Sequence, residues 1–504
     1  MNIESPSPAA SSSPSPSPSP SPSAAWELLL PAVGVPVRAR GRSLQSALRE
    51  AVRSGRLGPG TRLPSSRDLA RDLGVSRGLV TEAYEQLTAE GYLRSGRGAG
   101  TWVGDAVRAA PPGAYDLAPR TAPGVRADFV AGSPDLSLFP RAAWAAAQRD
   151  VLAGLPHQGL GYPDPRGLPR LRTALAELLA RRRGVVADPE RVIVCSGVTQ
   201  AVTLLGFVLR ARGQRRVGVE NPGSPQYEDL FAAAGSTAVR VAMDADGLSM
   251  DALRASGVRT VVTTPSHHFP SGLAYSAARR TQLLAWARAS DGLLVEDDYD
   301  GDFRYDRAPV GALQGLDPAH VAYAGSVSKS LAPGLRLGWM VVPDGLAEEV
   351  VERKRYMDLG NPALDQATLA RFIERGDYDR QLRRCQRAYK ERRDALVTAL
   401  RDHLPGTEVT GIAAGLHAIA ALPVDSARQG DLLDRCAAAG VSVRTLSQYG
   451  GDPDGGVRLV LGYAHLSPAR ITEGVRLLAS AARDLDRPRA HSASRSPRGR
   501  GPSP

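Results

Sequence analysis

Lysine is the scarcest side chain of chemical interest in this chain. Among 63 lysine and arginine residues, only Lys329, Lys354 and Lys390 are lysines. A reaction that needs a primary amine therefore has three candidate positions. Cysteine is equally sparse: Cys195, Cys385 and Cys436 lie far apart, with no Cys-x-x-Cys spacing. That excludes a cysteine-built zinc site and a disulfide framework. It predicts reduced, buried thiols, and no metal is expected. No apolar run approaches the ~18–20 residues that a membrane span needs. The N-terminus lacks the basic stretch and apolar run of a secretory signal. The expectation is a cytoplasmic chain without a membrane partner. There is no internal repeat.

What is present is length and an excess of positive charge. At 504 residues the chain predicts two or three domains. Residues 1–25 are dominated by alternating Ser-Pro and read as a disordered tail. Residues 487–504 read the same way, and 105–127, with four prolines, read as a linker. The net charge of +11 and pI near 9.8 allow a polyanionic partner. Part of that excess sits in the tail, at Arg487, Arg489, Arg495, Arg498 and Arg500, where a solvated basic tail explains it equally well.

The first folded block spans 28–104. Ala47, Leu48, Ala51 and Val52 have helical spacing, closed by Gly55. Leu63-Pro64-Ser65-Ser66 reads as a turn into a short helix, with Ser66 as N-cap and Leu69, Ala70 and Leu73 as its apolar face. Gly74-Val75-Ser76 is a tight turn into a second helix carrying Val80, Ala83, Tyr84 and Leu87. Tyr92-Leu93 and Thr101-Trp102-Val103 flank a glycine-rich tip, as in a hairpin. Helix, helix, turn, helix and hairpin make an α+β winged helix-turn-helix. Its second helix would enter the major groove of double-stranded DNA. The candidate contacts are Arg67, Ser76, Arg77, Gly78 and Thr81, with Arg97 on the wing. A three-helix module that binds protein is the competing reading.

From 128 to 486, short apolar runs alternate with amphipathic helical stretches. The runs are Val192–Cys195, Val217–Val219, Thr260–Thr263, Leu293–Glu296, Val321–Ala324 and Trp339–Val342. The pattern predicts a large α/β domain with a mostly parallel sheet. Lys329 follows one run, in Gly325-Ser326-Val327-Ser328-Lys329, where ligands meet such sheets. Lys354 and Lys390 sit among Arg and Glu and read as exposed helix faces. Arg336, with Ser326 and Ser328, can clamp a phosphate. A helix N-terminus at Val198 and Thr199 offers a further phosphate contact. Asp297, Asp298, Tyr299 and Asp300 follow another run. A carboxylate there can hold a pyridine nitrogen protonated and a tyrosine can reach a ring hydroxyl; a solvated loop or a cation site are the alternatives. These are the groups that pyridoxal 5'-phosphate requires.

The stretch GRLGPGTRLPSSRDLARDLGVSRGLVTEAYEQLTAEGYLRSGRGAGTWV closely resembles the GntR-type winged helix. Downstream, GSPDLSLFP, GYPDPRGLPRLR, SGVTQA, TPSHHFPSG, VEDDYDGDFRY, SVSKSLAPGLRLGW, RGDYDRQLRRCQRAY and GVRLVLGYAHL resemble fold-type I aminotransferases. Together the chain resembles the MocR/GabR/PdxR regulators, over about residues 28–485. That resemblance implies a winged helix-turn-helix followed by a large α/β aminotransferase-like fold with a smaller C-terminal α+β subdomain. It implies Lys329 as the Schiff-base lysine, Asp297 as partner of the pyridinium and Tyr299 as partner of the ring hydroxyl. Arg336 and the backbone at Val198 and Thr199 would hold the phosphate, and Arg458 an effector carboxylate. It further implies a head-to-tail homodimer on paired half-sites, gated by the cofactor or by an amine or amino-acid effector.

The chain departs from that family at three positions. Ser224 stands where a stacking tyrosine is usual, with Tyr227 as a shifted substitute. Gln226 replaces a basic residue, and Gln381 a histidine. A working aminotransferase carrying a DNA-binding fusion is the second reading, marked by steady turnover; partial transamination without turnover fits the regulator. A degenerate domain that serves only to dimerise is the third.

Overall fold

The computed structural model describes residues 36–53, 56–96, 100–104, 124–305, 310–452 and 456–486. The tails, residues 105–123 of the expected linker, and Gly55, Arg97 and Gly98 lie outside them. The chain forms two compact units, Met1–Arg120 and Thr121–Pro504.

In the first unit α1 (Arg40–Arg53), α2 (Ser66–Leu73) and α3 (Arg77–Ala89) pack on a small antiparallel sheet. The sheet has the order β1-β3-β2, where β1 is Arg62–Leu63, β2 Leu93–Gly96 and β3 Gly100–Val103. The apolar positions expected at helical spacing, Leu69, Ala70, Leu73, Val80, Ala83, Tyr84 and Leu87, are all buried in one core with Leu44 and Leu48. Two expectations change. The helix α2 is capped by Ser65 rather than Ser66: the Ser65 Oγ accepts from Asp68 N at 3.2 Å, so Ser66 is already helical. The segment expected to be wholly turn contributes β1, because Arg62 and Leu63 pair with Trp102 and Thr101. Between α2 and α3 Gly74 adopts φ +64, a left-handed C-cap that glycine tolerates best, and Ser76 Oγ then caps α3 from Leu79 N.

The second unit begins with β4 (Ala127–Asp128), where the linker was expected to end; Ala127 is buried and pairs with Val441. Its helices are α4 (Arg141–Gly154), α5 (Pro169–Arg183), α6 (Val198–Ala211), α7 (Gln226–Ala233), α8 (Met250–Ser256) and α9 (Ala277–Ser290). They continue with α10 (Asp344–Asp358), α11 (Ala363–Glu374), α12 (Asp377–His403), α13 (Gln429–Ala438) and α14 (Pro468–Arg483). The main sheet uses β5 (Val192–Cys195), β6 (Arg216–Asn221), β7 (Thr237–Asp244), β8 (Gly247–Leu248), β9 (Thr260–Thr263), β10 (Leu293–Asp297), β11 (Val321–Ser326) and β12 (Gly338–Val341). The order is β5-β12-β11-β10-β9-β6-β7-β8; β12 and β8 run antiparallel to their neighbours and the other pairings are parallel.

All six expected strands are present, two with the expected bounds and four differing by one or two residues at one or both ends. Each has an apolar centre because the sheet is covered on both faces. Ile193 and Cys195 meet α6 and α10, while Val192 and Val194 meet the core of α4, α5, α11 and α12. A smaller antiparallel sheet follows, ordered β13 (Glu408–Thr410), β14 (His417–Ala421), β17 (Arg458–Gly462), β16 (Arg444–Thr445), while β15 (Val441–Ser442) pairs with β4. All three cysteines are free and buried. Among the described residues no helix is long and apolar enough to cross a membrane.

Candidate functional site

Because β5 and β11 both lie antiparallel to β12, the carboxyl ends of β5, β6, β9, β10 and β11 share one edge of the sheet. A cavity of about 380 Å³ opens there. Lys329, Asp297, Tyr299, Ser326, Ser328, Arg336, Val198 and Thr199 all line it. These are the residues expected from the sequence to hold a cofactor.

At one end β5 leads through Ser196 and Gly197 into α6. Gly197 has φ +85, and a Cβ there would lie 3.2 Å from Arg336 Nη2, so glycine lets the guanidinium approach the loop. Arg336 itself sits at φ +50, uncommon for a residue with a Cβ, and donates to the Ser196 carbonyl. The first N–H groups of a helix have no acceptor within it. With one guanidinium beside them they form a cup for a phosphate.

At the other end the acidic cluster is neither a solvated loop nor a free cation site. Its carboxylates are buried and divided among different partners. Asp298 pairs with Arg183 at 2.6 Å and accepts from Tyr323. Asp300 lies 2.8 Å from His267 Nδ1. Asp297 faces the cavity: its Oδ2 accepts from the Tyr227 hydroxyl, and its Oδ1 is buried without any partner. Burial, with Asp298 and Asp300 adding to it against the Tyr227 bond, pushes the Asp297 carboxyl up to about 7. An orphaned, desolvated acceptor of this kind suits the N–H of a pyridinium ring.

Lys329 is half-buried and its Nζ donates to the Gly132 carbonyl. Burial lowers its pKa, against the opposing pull of Asp300 and Asp297, and favours the neutral, nucleophilic amine. The Tyr299 phenol stays protonated because burial and the neighbouring Asp300 raise its pKa.

Several features escape the sequence reading. Ala131, Gly132, Leu230, Thr264, Phe269 and Pro333 also line the cavity. Tyr227 lines it together with Ser224 and Gln226, as a hydrogen-bond donor to Asp297. Arg458 is not among the lining residues, and its guanidinium donates to the Asp452 carbonyl at 3.0 Å. Gln381 is buried on the carbonyls of Leu138 and Ser330.

Lys354 is the clearest correction. It is fully buried rather than exposed, and its Nζ donates to Asp358 at 2.7 Å and Asn361 at 2.9 Å. Its position follows from the helix: Ala347, Val350, Val351 and Lys354 fall on one buried face. Lys390 is exposed and pairs with Asp394. His267, Asp300 and His417 lie close enough to hold a metal ion, but Nδ1 of His267 and Nε2 of His417 already face Asp300 and the Pro270 carbonyl.

In the first unit Arg67, Ser76, Arg77 and Gly78 are exposed at the starts of α2 and α3, and Thr81 is half-buried.

Two family descriptions match the chain. Residues 128–478 match "Aminotransferase class I and II" and residues 41–103 match "Bacterial regulatory proteins, gntR family". The "HTH-type pyridoxine biosynthesis transcriptional regulator PdxR" of Corynebacterium glutamicum is 34% identical over 422 residues, covering 83% of this chain and 91% of that protein. The "Probable rhizopine catabolism regulatory protein MocR" of Rhizobium meliloti is 36% identical over 469 residues, covering 87% and 93%. Among solved structures, the multiple substrate aminotransferase of Thermococcus profundus superposes with a TM-score of 0.65 at 27% identity, covering 72% of this chain and 92% of that one. An archaeal alanine:glyoxylate aminotransferase gives 0.63 at 29%, covering 71% and 91%.

Proposed function

This chain belongs to the family of DNA-binding transcriptional regulators in which a gntR-type winged helix is joined to an aminotransferase class I and II domain, and we propose that the second domain holds pyridoxal 5'-phosphate and uses it to set the affinity of the first for DNA. On this reading residues 28–104 bind DNA and residues 128–486 sense the ligand.

The observation that carries the cofactor assignment is the orphaned Asp297 Oδ1, in one cavity with Lys329, Arg336 and the α6 N-terminus. When bound, pyridoxal phosphate supplies an aldehyde for amines and an electron-withdrawing ring. The chain supplies the rest. Lys329 offers the amine, Asp297 holds a proton at the ring nitrogen, and Tyr299 donates toward the ring oxygen. Ser326, Ser328, Arg336 and the N–H groups of Val198 and Thr199 hold the phosphate. The cationic side chains lining the cavity are Lys329 and Arg336, both committed to the cofactor. The effector class this favours is the cofactor itself or an amine without a carboxylate. For an amino acid, Arg458 would have to leave the Asp452 carbonyl.

Arg67 and Arg77 are assigned to phosphate or guanine, with Ser76, Gly78 and Thr81 at the groove. A head-to-tail homodimer reading paired half-sites belongs to the same proposal. In its support, Leu160, Tyr162, Tyr356 and Leu359 are all exposed, and the turn at Gly360 abuts Pro163.

The test is DNA binding by the full chain to its own upstream region, with and without pyridoxal phosphate. A change in affinity that Lys329→Ala abolishes is expected. Unchanged affinity would remove the sensor role. Steady turnover of an amino-acid/keto-acid pair would make the domain a working aminotransferase instead.

A further inference from the structure

A buried histidine stands behind the tyrosine that faces the cavity. His267 is 2% exposed. Its Nδ1 lies 2.8 Å from Asp300 Oδ2 and 3.1 Å from the Tyr299 hydroxyl, and its Nε2 is buried with no partner. A proton on Nε2 would be a buried donor without an acceptor, and would turn the Nδ1 lone pair onto a carboxylate. Both are unfavourable, so Nδ1 carries a proton and donates it to Asp300. The ring is confined. A Cβ at Gly415 would lie 2.0 Å from its Cε1, and the His417 ring, kept neutral by burial, is centred 4.9 Å away.

Asp300 is also within reach of Tyr299, whose phenol is perturbed by both its charge and its hydrogen bonding. Two donors therefore share one carboxylate, and an imidazole N–H on Asp300 Oδ2 lowers the charge that Asp300 presents to the phenol. If the phenol donates to Asp300, its O–H turns away from the cavity.

We propose that His267 is a positioning residue: by donating to Asp300 it leaves the Tyr299 hydroxyl free to donate into the cavity, to the ring oxygen of the cofactor. This rests on the cofactor reading above. A phenol donating to that oxygen withdraws negative charge from it. With the cofactor held there, the Lys329 nitrogen beside it would hold its proton less tightly, and the pH at which this proton is lost would fall. The titratable groups facing Tyr299 are Asp297, Tyr227, Asp300, His267 and Lys329, with His417 behind His267.

The experiment is a pH titration of the visible absorbance of the full chain loaded with pyridoxal phosphate. Tyr299→Phe should raise the midpoint by about one pH unit, the size of a lost hydrogen bond to a charged group. His267→Phe should raise it equally, and the double variant should match Tyr299→Phe alone. His267→Asn, whose side-chain N–H can replace Nδ1–H, should stay near the wild type. Thermal melting monitors folding, and His267→Leu replaces the phenylalanine variant if the larger ring is not accommodated. Additive shifts in the double variant, an unmoved midpoint in the apolar variants, or an asparagine variant shifted like Tyr299→Phe would each overturn the proposal. A wild-type chain that gains no visible absorbance would instead sink the cofactor reading itself, before any variant is compared.

Discussion

The Asp297 carboxyl, pushed up to about 7, makes a claim about pH that one substitution isolates. Its folded pKa lies above its ordinary value of 3.8, so without a cofactor the native state holds a proton that the unfolded chain releases. The stability this group contributes is therefore lost as pH rises from about 4 to about 7. Asparagine does not ionise. Cofactor-free Asp297→Asn should melt higher relative to the wild type at pH 8 than at pH 5, and thermal scans at the two pH values check the sign. Lys354 gives a second residue-scale prediction. Lys354→Met removes a buried ammonium from Asp358, itself a quarter exposed, and from Asn361, and should cost about 2 kcal/mol in denaturant unfolding, the size of hydrogen bonds lost by a charged group. An exposed lysine at that position would cost almost nothing.

At the scale of elements, the N-cap of α2 separates two adjacent serines. Ser65→Ala should destabilise the winged helix by about 1 kcal/mol, while Ser66→Ala should leave it nearly unchanged. Unfolding of the isolated transition for this unit reads the difference. Arg77, exposed at the first position of α3, should weaken DNA binding when replaced by alanine. If it contacts a phosphate, the salt dependence of binding should fall by about one unit of slope.

Much of this scale was legible in the sequence, because a helix or strand buried on known faces writes its period into apolar residues. Leu69, Ala70 and Leu73 announced α2, and Val192–Cys195 announced a strand covered on both sides. What the sequence hid were features settled by tertiary pairing. The two-residue strand β1 exists only because Thr101 and Trp102 lie opposite it. Lys354 sits among charged neighbours that favoured an exposed reading, although its spacing from Val350 and Val351 already pointed inward. His267 shares its network with Asp300, 33 residues on, and no local pattern marks such a pair.

For the whole molecule, the candidate site was legible because its parts lie beside the ends of apolar runs: Val198 and Lys329 after β5 and β11, Asp297 at the end of β10, and Arg336 before β12. The order of the strands then brings those ends to one edge. The cofactor residues named by the resemblance line one cavity, while Arg458 lies outside its lining. The proposed coupling between the two units would be the functional consequence, and DNA affinity with and without the cofactor is its measure. That proposal depends on a prior chemical premise, which the scarcity of lysine makes simple to test. Incubation with pyridoxal phosphate, borohydride reduction and peptide mass mapping should place the cofactor on Lys329 and leave Lys354 and Lys390 unlabelled. No stable label, or label distributed over the other lysines at the same level, would contradict the account.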